Sequence, residues 1–374
     1  MKIHLWDVYD SKKISVDLKK EMKNKIRDKL NSNIYLVAKR IGIPPARLYD
    51  YFLYQNSPIP LNILIKLAKT LNISLLEIEK EIVMYKQMFV PNKNSVQNPI
   101  LPIQITPYLT SVIANLFFDG SVPEDGKGTY YSQKNEQIMN DFIQKVKKVF
   151  GDVQYSLKKD HRGVLKCRVP RIIGEICRHI YGVDSFGTFD AKLPKKIFRL
   201  SQEHKIAFVL TGIIDEGSIA YDGSVIFSIS NKGMITGFNN LCNELGLKTG
   251  GVKQKKETSH YYLYILSTNK LSHIITSFSK KYSLISLHSK AERLVKSLEI
   301  KNQKYFNTKK FADIRKNLIL NELKQKDSSV NTLSNKFLIP PRTIRRYFYR
   351  LIKEGKIKRR KIGSEFIYSL LYLK

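Results

Sequence analysis

The sequence is short of cysteine and of long apolar runs, and both shortages narrow the possible functions. Its three cysteines, Cys167, Cys177 and Cys242, form no Cys-x-x-Cys pair, which argues against a structural zinc site and a disulfide framework. No run of roughly 18 apolar residues occurs, so no membrane span is predicted, and the first residues lack an apolar signal-peptide core. We therefore expect a protein of a reducing prokaryotic cytoplasm, associated with the nucleoid.

Acidic residues are also scarce. The chain has 32 Asp and Glu against 65 Lys and Arg, a formal net charge of +33 over 374 residues. Solubility needs far less charge than this, so the excess indicates a polyanionic partner, namely a nucleic acid. A Lys-rich solvated surface encoded by an AT-rich genome is the alternative explanation.

The first 90 residues carry a helical pattern. Apolar residues recur at helical spacing over residues 34–41, and Gly42 ends this helix. Two prolines open a second helix over residues 44–52, because proline is tolerated in a first turn. Two more helices are predicted over residues 60–71 and 74–82, and Ser74 can cap the second of them.

This order of elements resembles the phage-repressor-like helix-turn-helix family. The resemblance implies a DNA-binding domain over residues 1–90, with three side chains facing DNA: Arg47, Tyr49 and Tyr51. A helical bundle used only for packing is the alternative. Residues 91–107 contain four prolines and no periodicity, and we interpret them as a linker.

Residues 108–280 contain an internal repeat. An apolar helix that ends in Asp119-Gly120 is matched about a hundred residues later by one that ends in Asp215-Glu216-Gly217. A pair of strands, a helix, a second pair of strands and a third helix follow each of them. Each half therefore reads α-β-β-α-β-β-α, and we predict an α+β fold with a pseudo-two-fold axis.

The two acidic helices resemble the paired motifs of single-chain LAGLIDADG homing endonucleases, the kind found in inteins and introns. The acid-Gly-Ser endings have the family's spacing, and Ala191-Lys192-Leu193-Pro194 is similar to the Lys-x-Pro segment before its second motif. The resemblance covers roughly residues 100–280. It implies a saddle-shaped domain over residues 108–280, in which the final carboxylates of both helices meet at the domain axis, over the DNA minor groove.

By that resemblance Asp119 and Glu216, with Gly120 and Gly217 beside them, bind Mg²⁺ and serve the hydrolysis of one phosphodiester in each strand, a staggered double-strand cut. Hard oxygen ligands favour Mg²⁺ over softer metals. Lys192 matches the family's upstream lysine, which stabilises charge developing on a phosphate. Further basic residues of the saddle are expected to contact phosphates and base edges: Lys158, Lys159, Arg162, Lys253, Lys255 and Lys256.

Two departures from the family pattern leave the activity open. Phe118 stands where the first motif has a small residue, although Ala114 keeps the earlier close-approach position. The second motif lacks one residue, so either Glu216 takes the metal-binding place or Asp215 shifts into it; one helical residue turns a side chain by ~100°. A catalytically retired, DNA-binding transcription regulator is therefore an alternative to a site-specific endonuclease, and an RNA splicing maturase is a third.

Residues 311–374, after a connector over 281–310, are also predicted to bind DNA. Two helices, a third helix that starts at a pair of prolines, and two strands that alternate basic and apolar residues resemble the winged helix-turn-helix family. Ten basic residues and a single acidic one, Glu354, lie between Pro341 and Lys361. The expected contacts with DNA come from eight of them: Arg342, Arg345, Arg346, Arg350, Lys358, Arg359, Arg360 and Lys361.

Both acidic motifs lie in one chain, so the pseudo-dimer is complete without a second subunit. We therefore expect a monomer that binds an asymmetric double-stranded DNA target.

Overall fold

The computed structural model describes residues 1–8, 13–30, 33–54, 57–88, 94–123, 128–220, 224–255, 258–302, 310–337, 339–363 and 365–371, with the backbone alone for 300–302 and 310–314. These residues form two compact units. The first comprises Met1–Gly217, Phe227–Leu263 and Ile274–Leu287; the second comprises Ser218–Ile226, Tyr264–His273 and His288–Lys374. No helix in the described ranges is long and apolar enough to cross a membrane.

The N-terminal part of the first unit mixes short helices with strands. In chain order its elements are β1 (Lys2–Ile3), β2 (Ile14–Leu18), α1 (Lys20–Leu30), α2 (Ile34–Ile41), α3 (Pro45–Tyr49), β3 (Ile59–Pro60), α4 (Leu61–Thr70), α5 (Leu75–Lys80), β4 (Ile82–Gln87), β5 (Ser95–Gln97) and β6 (Ile103–Gln104). A π-helical stretch, Asp50–Tyr54, continues α3. Gly42 adopts the left-handed conformation that ends α2.

The elements of the first acidic half follow in the predicted order. They are α6 (Pro107–Phe118), β7 (Gly120–Ser121), β8 (Thr129–Gln133), α7 (Glu136–Phe150), β9 (Asp152–Val153), β10 (Ser156–Lys159), β11 (Leu165–Val169) and α8 (Arg171–Tyr181). Strands β7, β8, β10 and β11 form an antiparallel sheet in the order β10-β11-β8-β7. Three strands, β9, β10 and β11, take the place of the predicted second pair, and β9 joins a different sheet.

That sheet corrects the expectation that residues 1–90 are built of helices alone. It has five strands in the order β3-β2-β4-β5-β9, so it links the N-terminal part to the first acidic half through β5 and β9. The β-branched residues of Ile14–Leu18 and Ile82–Gln87 favour strands, and the helix predicted to reach Ile82 ends at Lys80. The predicted linker contributes β5 and β6, the latter paired with β1.

The second acidic half repeats the order. After α9 (Lys195–Arg199) its elements are α10 (Gln202–Glu216), β12 (Gly217–Ile219), β13 (Val225–Ile229), α11 (Lys232–Glu244), β14 (Lys253–Gln254), β15 (Tyr261–Ile265) and α12 (Thr268–Lys281). Its four strands form a sheet in the order β12-β13-β15-β14, the counterpart of β7-β8-β11-β10. Both α7 and α11 begin at an asparagine, Asn135 or Asn231, whose side chain accepts backbone N–H bonds.

The second unit ends in four helices and a small sheet. Its elements are α13 (Ser289–Asn302), α14 (Lys310–Gln325), β16 (Ser328–Ser329), α15 (Val330–Phe337), α16 (Pro341–Lys353), β17 (Ile357–Ile362) and β18 (Glu365–Leu370). The strands pair in the order β16-β18-β17. A separate apolar core, which includes Leu333, Ile344, Phe348 and Leu351, holds these elements together.

Candidate active site

The two acidic helices, α6 and α10, pack directly against each other. Residues 107–116 of α6 and 207–214 of α10 are buried throughout, which agrees with their continuous apolar sequences. Two hydroxyl groups meet inside this interface, Ser111 Oγ and Thr211 Oγ1 at 2.7 Å. Small side chains at these positions let the helix backbones approach.

The glycines at the helix ends fix the register that the sequence left open. A Cβ on Gly120 would lie 2.8 Å from the carbonyl oxygen of Leu116, and one on Gly217 would lie 2.6 Å from that of Ile213. Each glycine is therefore required by the same close approach to the residue four positions earlier. Because the two glycines are equivalent, Glu216 corresponds to Asp119, and Asp215 corresponds to Phe118.

Phe118 and Asp215 each contact the core of the opposite half. Phe118 packs edge-on against Phe227 and Phe238, with ring centroids 5.5 and 6.2 Å away. Asp215 Oδ1 accepts a 2.7 Å hydrogen bond from the Tyr131 hydroxyl. Asp215 is therefore directed into the first half, as Phe118 is into the second.

A buried polar network surrounds Asp215. Asn115 Nδ2 donates to Asp215 Oδ2 at 2.8 Å, and Lys145 Nζ donates to Asn115 Oδ1 at 2.7 Å and to Ser111 Oγ at 2.8 Å. Lys145 is only 3% exposed. Burial, and secondly the charge of Asp119, raise the pKa of Asp215 to about 7, and burial lowers the pKa of Lys145 to about 8.

Asp119 ends α6 and has a partner that sequence analysis missed. Gln133 Nε2, on β8, donates to Asp119 Oδ2 at 3.3 Å. Burial and the charges of Asp215 and Asp119 raise the pKa of Tyr131 well above its usual value. The alternation of β8 places Tyr131 and Gln133 on one face, and that spacing is the only signal in the sequence.

Glu216 lines a cavity of about 190 Å³ that includes Ser228, Ser230 and His260. His260 Nδ1 and Ser230 Oγ are 3.1 Å apart. Ala191 lines the same cavity, and its carbonyl accepts a 2.8 Å bond from Asn231 Nδ2. This bond anchors the segment that carries Lys192, whose side chain is exposed.

The donor set suits a hard divalent cation. No group of three or more His, Cys, Asp or Glu that could hold a metal occurs within the described residues. Mg²⁺ does not need such a group, because it retains waters and binds one or two carboxylates together with substrate phosphates. Asp119 and Glu216, at equivalent helix ends, carry the hard oxygen donors that such a site would need.

Most of the basic residues expected to contact DNA are exposed, and four of them need separate mention. Arg162 and Lys159 form ion pairs with Asp160 and Glu136, at 3.2 and 3.4 Å. Arg360 Nη2 lies 2.8 Å from Asp327 Oδ2, and Lys256 lies outside the described residues. The remaining members are exposed: Arg47, Lys158, Lys253, Lys255, Arg342, Arg345, Arg346, Arg350, Lys358, Arg359 and Lys361.

The expectation that Tyr51 faces DNA is wrong. Tyr51 is 7% exposed and belongs to the core, because the chain turns from α3 into a π-helical stretch that rotates it inward. Tyr54, which sequence analysis missed, is 74% exposed instead. Its ring stacks on that of Tyr49, with centroids 5.6 Å apart.

In the second unit α16 separates apolar and basic residues by face. Ile344, Tyr347, Phe348 and Leu351 are buried, whereas the four arginines of the helix lie on its other side. Strand β17 presents its basic residues outward and pairs along its length with β18.

Comparisons with known proteins give similarity to solved structures. No protein-family model matches the chain, and no curated protein matches it significantly. Mesophilic variants of the homing endonuclease I-DmoI are similar at 14% identity and a TM-score of 0.34, over 46% of this chain and 96% of that one. I-DmoI in complex with DNA and Mn is similar at 12% identity and a TM-score of 0.34, over the same shares.

Full-length DUF199/WhiA from Thermatoga maritima is similar at 10% identity and a TM-score of 0.35, over 66% of this chain and 90% of that one. Similarity at this level does not by itself assign an activity.

Proposed function

We propose that the protein is a site-specific, Mg²⁺-dependent DNA endonuclease of the LAGLIDADG type. The observation that carries the proposal is the pair of equivalent carboxylates, Asp119 and Glu216, at the ends of two helices packed together in one chain. The net charge of +33 supports a DNA partner.

Each residue of the site has a role in this proposal. Asp119 and Glu216 would hold Mg²⁺, which would supply Lewis-acid stabilisation of the charge that develops on a phosphate. Gln133 orients the Asp119 carboxylate through its 3.3 Å bond. Lys192, exposed beside the Glu216 cavity, adds positive charge at the second phosphate.

Cleavage of a fragmented genomic DNA library tests the proposal directly. The full chain is expected to produce staggered double-strand ends at a small set of sites with Mg²⁺ and none with EDTA, since the carboxylates alone cannot stabilise the phosphate. Sequencing of the ends would give the target and the stagger. Cleavage that persists in EDTA would contradict a metal-dependent reaction.

A non-cleaving transcription regulator is the second candidate. The shortened second motif favours it, because Asp215 takes the position before the terminal acid and is engaged in hydrogen bonds within the interface. Tight binding of a selected duplex without any nicking, at any Mg²⁺ concentration, would establish the regulator in place of the nuclease.

We also infer that residues 311–374 form a winged helix-turn-helix domain that extends the DNA-binding surface, with α16 as recognition helix. Its exposed arginines and the outward basic residues of β17 support this role. Removal of residues 311–374 is expected to weaken duplex binding and to make it less dependent on salt. The slope of log K against log salt concentration should become shallower by ~0.9 for each phosphate contact that is lost. Titrations of labelled duplex at several salt concentrations measure the slope; an unchanged slope would mean that this region does not touch DNA.

A further inference from the structure

The two acidic halves differ at one equivalent position, which is Phe118 in the first motif and Asp215 in the second. Where Asp215 enters the first half it meets polar groups, and where Phe118 enters the second half it meets aromatic rings. The two halves can be aligned at the asparagine caps of α7 and α11 and at the terminal glycines of the two motifs. In this alignment each polar residue of the first half corresponds to an apolar residue of the second. The pairs are Tyr131 with Phe227, Lys145 with Leu241, Asp215 with Phe118, and Asn115 with Gly212.

The apolar set shows that this packing position does not need polar groups. Phe227 stacks on Phe238 with centroids 3.8 Å apart, as Tyr131 stacks on Phe142 at 4.4 Å. A Cβ on Gly212 would lie 2.9 Å from Phe118 Cε2, so this glycine makes room for the larger ring. Where Asp215 replaces phenylalanine, Asn115 fills the corresponding space.

Burial of a lysine and an aspartate costs free energy that an apolar set of similar volume avoids. Lys145 and Asn115 are 3% and 1% exposed, and Ser111 and Thr211 are fully buried. The second half shows that the fold can form with apolar residues at these positions. The buried polar residues of the first half are therefore not explained by packing alone.

The hydrogen bonds of the network lead to the first-half acid. They run from Lys145 through Asn115 to Asp215 and then to Tyr131. Tyr131 and Gln133 lie on one face of β8, and Gln133 Nε2 donates to Asp119 Oδ2. Between them, the backbone N–H of Ser132 donates to the Asp119 carbonyl at 2.9 Å, so β8 connects the network to Asp119.

We propose that the buried Lys145–Asn115–Asp215–Tyr131 network positions Asp119 for divalent-cation binding. It fixes the position of β8, and β8 orients the Asp119 carboxylate through Gln133. This inference rests on the proposed function, because it assumes that Asp119 binds the metal. The four residues act through Asp119 and are positioning residues.

The apolar half supplies the experiment. A full-length chain with Asn115→Gly, Tyr131→Phe, Lys145→Leu and Asp215→Phe carries the second-half set in the first half. Mn²⁺ is the probe, titrated into the chain bound to a duplex chosen by binding selection, with free Mn²⁺ read by electron paramagnetic resonance. The same titration of an Asp119→Asn chain identifies the site: the Mn²⁺ binding that this variant lacks is assigned to Asp119.

At that site the dissociation constant for Mn²⁺ is expected to rise roughly 10- to 100-fold, as for other residues that orient metal ligands. Duplex affinity and the unfolding midpoint should be unchanged, or the midpoint raised, because a buried ion pair is replaced by apolar packing. Leu241→Met, at the position equivalent to Lys145, is the matched control and should leave Mn²⁺ binding unaltered.

The outcomes separate the two proposals. Failure of the unchanged chain to bind Mn²⁺ at Asp119 would overturn both the nuclease proposal and this one. Normal Mn²⁺ affinity in the four-residue variant would overturn this one alone and make the network purely structural. If the variant does not fold, Tyr131→Phe gives the same decision, since it removes the hydroxyl that joins Asp215 to β8 while keeping the ring.

Discussion

Chains with Asp119→Asn or Glu216→Gln are expected to bind the same duplex as the unchanged chain and to cut it roughly 10²- to 10⁴-fold more slowly. Metal-ion catalysis contributes several kcal/mol of transition-state stabilisation, and each 1.36 kcal/mol corresponds to a tenfold change in rate. Both substitutions remove a metal-binding charge and nearly preserve shape. Duplex binding should be retained or slightly tighter, because repulsion between carboxylate and phosphate is reduced.

Single-turnover cleavage and equilibrium binding on one duplex measure the two effects separately. Lys192→Met should slow cleavage without abolishing metal binding, since its ammonium group acts on the phosphate. If Glu216→Gln cuts as fast as the unchanged chain, the assignment of Glu216 as the counterpart of Asp119 is wrong, and Asp215 becomes the candidate ligand.

The order of elements in the two acidic halves could be read from the sequence because it depends on local patterns. Apolar runs that end in acid-Gly predict α6 and α10, and the repeated order of strands and helices after each run predicts the elements that follow. The N-terminal sheet could not be read in the same way. It depends on pairing between Val96 and Val153, and residues so far apart in sequence leave no local signal.

The register of the second motif could not be predicted from the sequence for a different reason. A deletion of one residue near a helix end can be absorbed by either neighbour, and only the close approach of Gly217 to Ile213 decides between them. Lys145 was equally hidden. A lysine among apolar residues reads as a solvated position, whereas Asn115 and Ser111 of another helix supply the acceptors that make its burial possible.

Replacement of Lys145 by methionine is expected to destabilise the fold in a strongly pH-dependent manner. Below about pH 4 Asp215 is protonated in the folded and unfolded chains alike, and the loss of a buried cation should cost little. In the unchanged chain the raised pKa of Asp215, about 7, means that the folded state holds a proton that the unfolded state releases near pH 4. Stability from this group therefore falls as the pH rises from about 4 to 7.

Without Lys145 the pKa of Asp215 rises further, because the nearby cation that lowers it is gone. The loss of stability then continues above pH 7, by up to about 1.4 kcal/mol per pH unit. At the same time the variant lacks the stability that the unchanged chain gains above pH 8, where folded Lys145 is already neutral. The two effects add, and we expect the deficit to grow with pH and to reach about 2–3 kcal/mol near pH 8.5, since one unit of pKa shift corresponds to 1.36 kcal/mol.

Denaturant unfolding at pH 5, 7 and 8.5 measures this difference between variant and unchanged chain. Lys148→Met, an exposed lysine on the same helix, is the control and should give a small difference at every pH. Adding Asp215→Asn to Lys145→Met should restore stability at pH 8.5, because no uncompensated carboxylate remains buried. A deficit that is the same at all three pH values would mean that Lys145 stabilises the fold by packing alone, and that its charge does not act on Asp215.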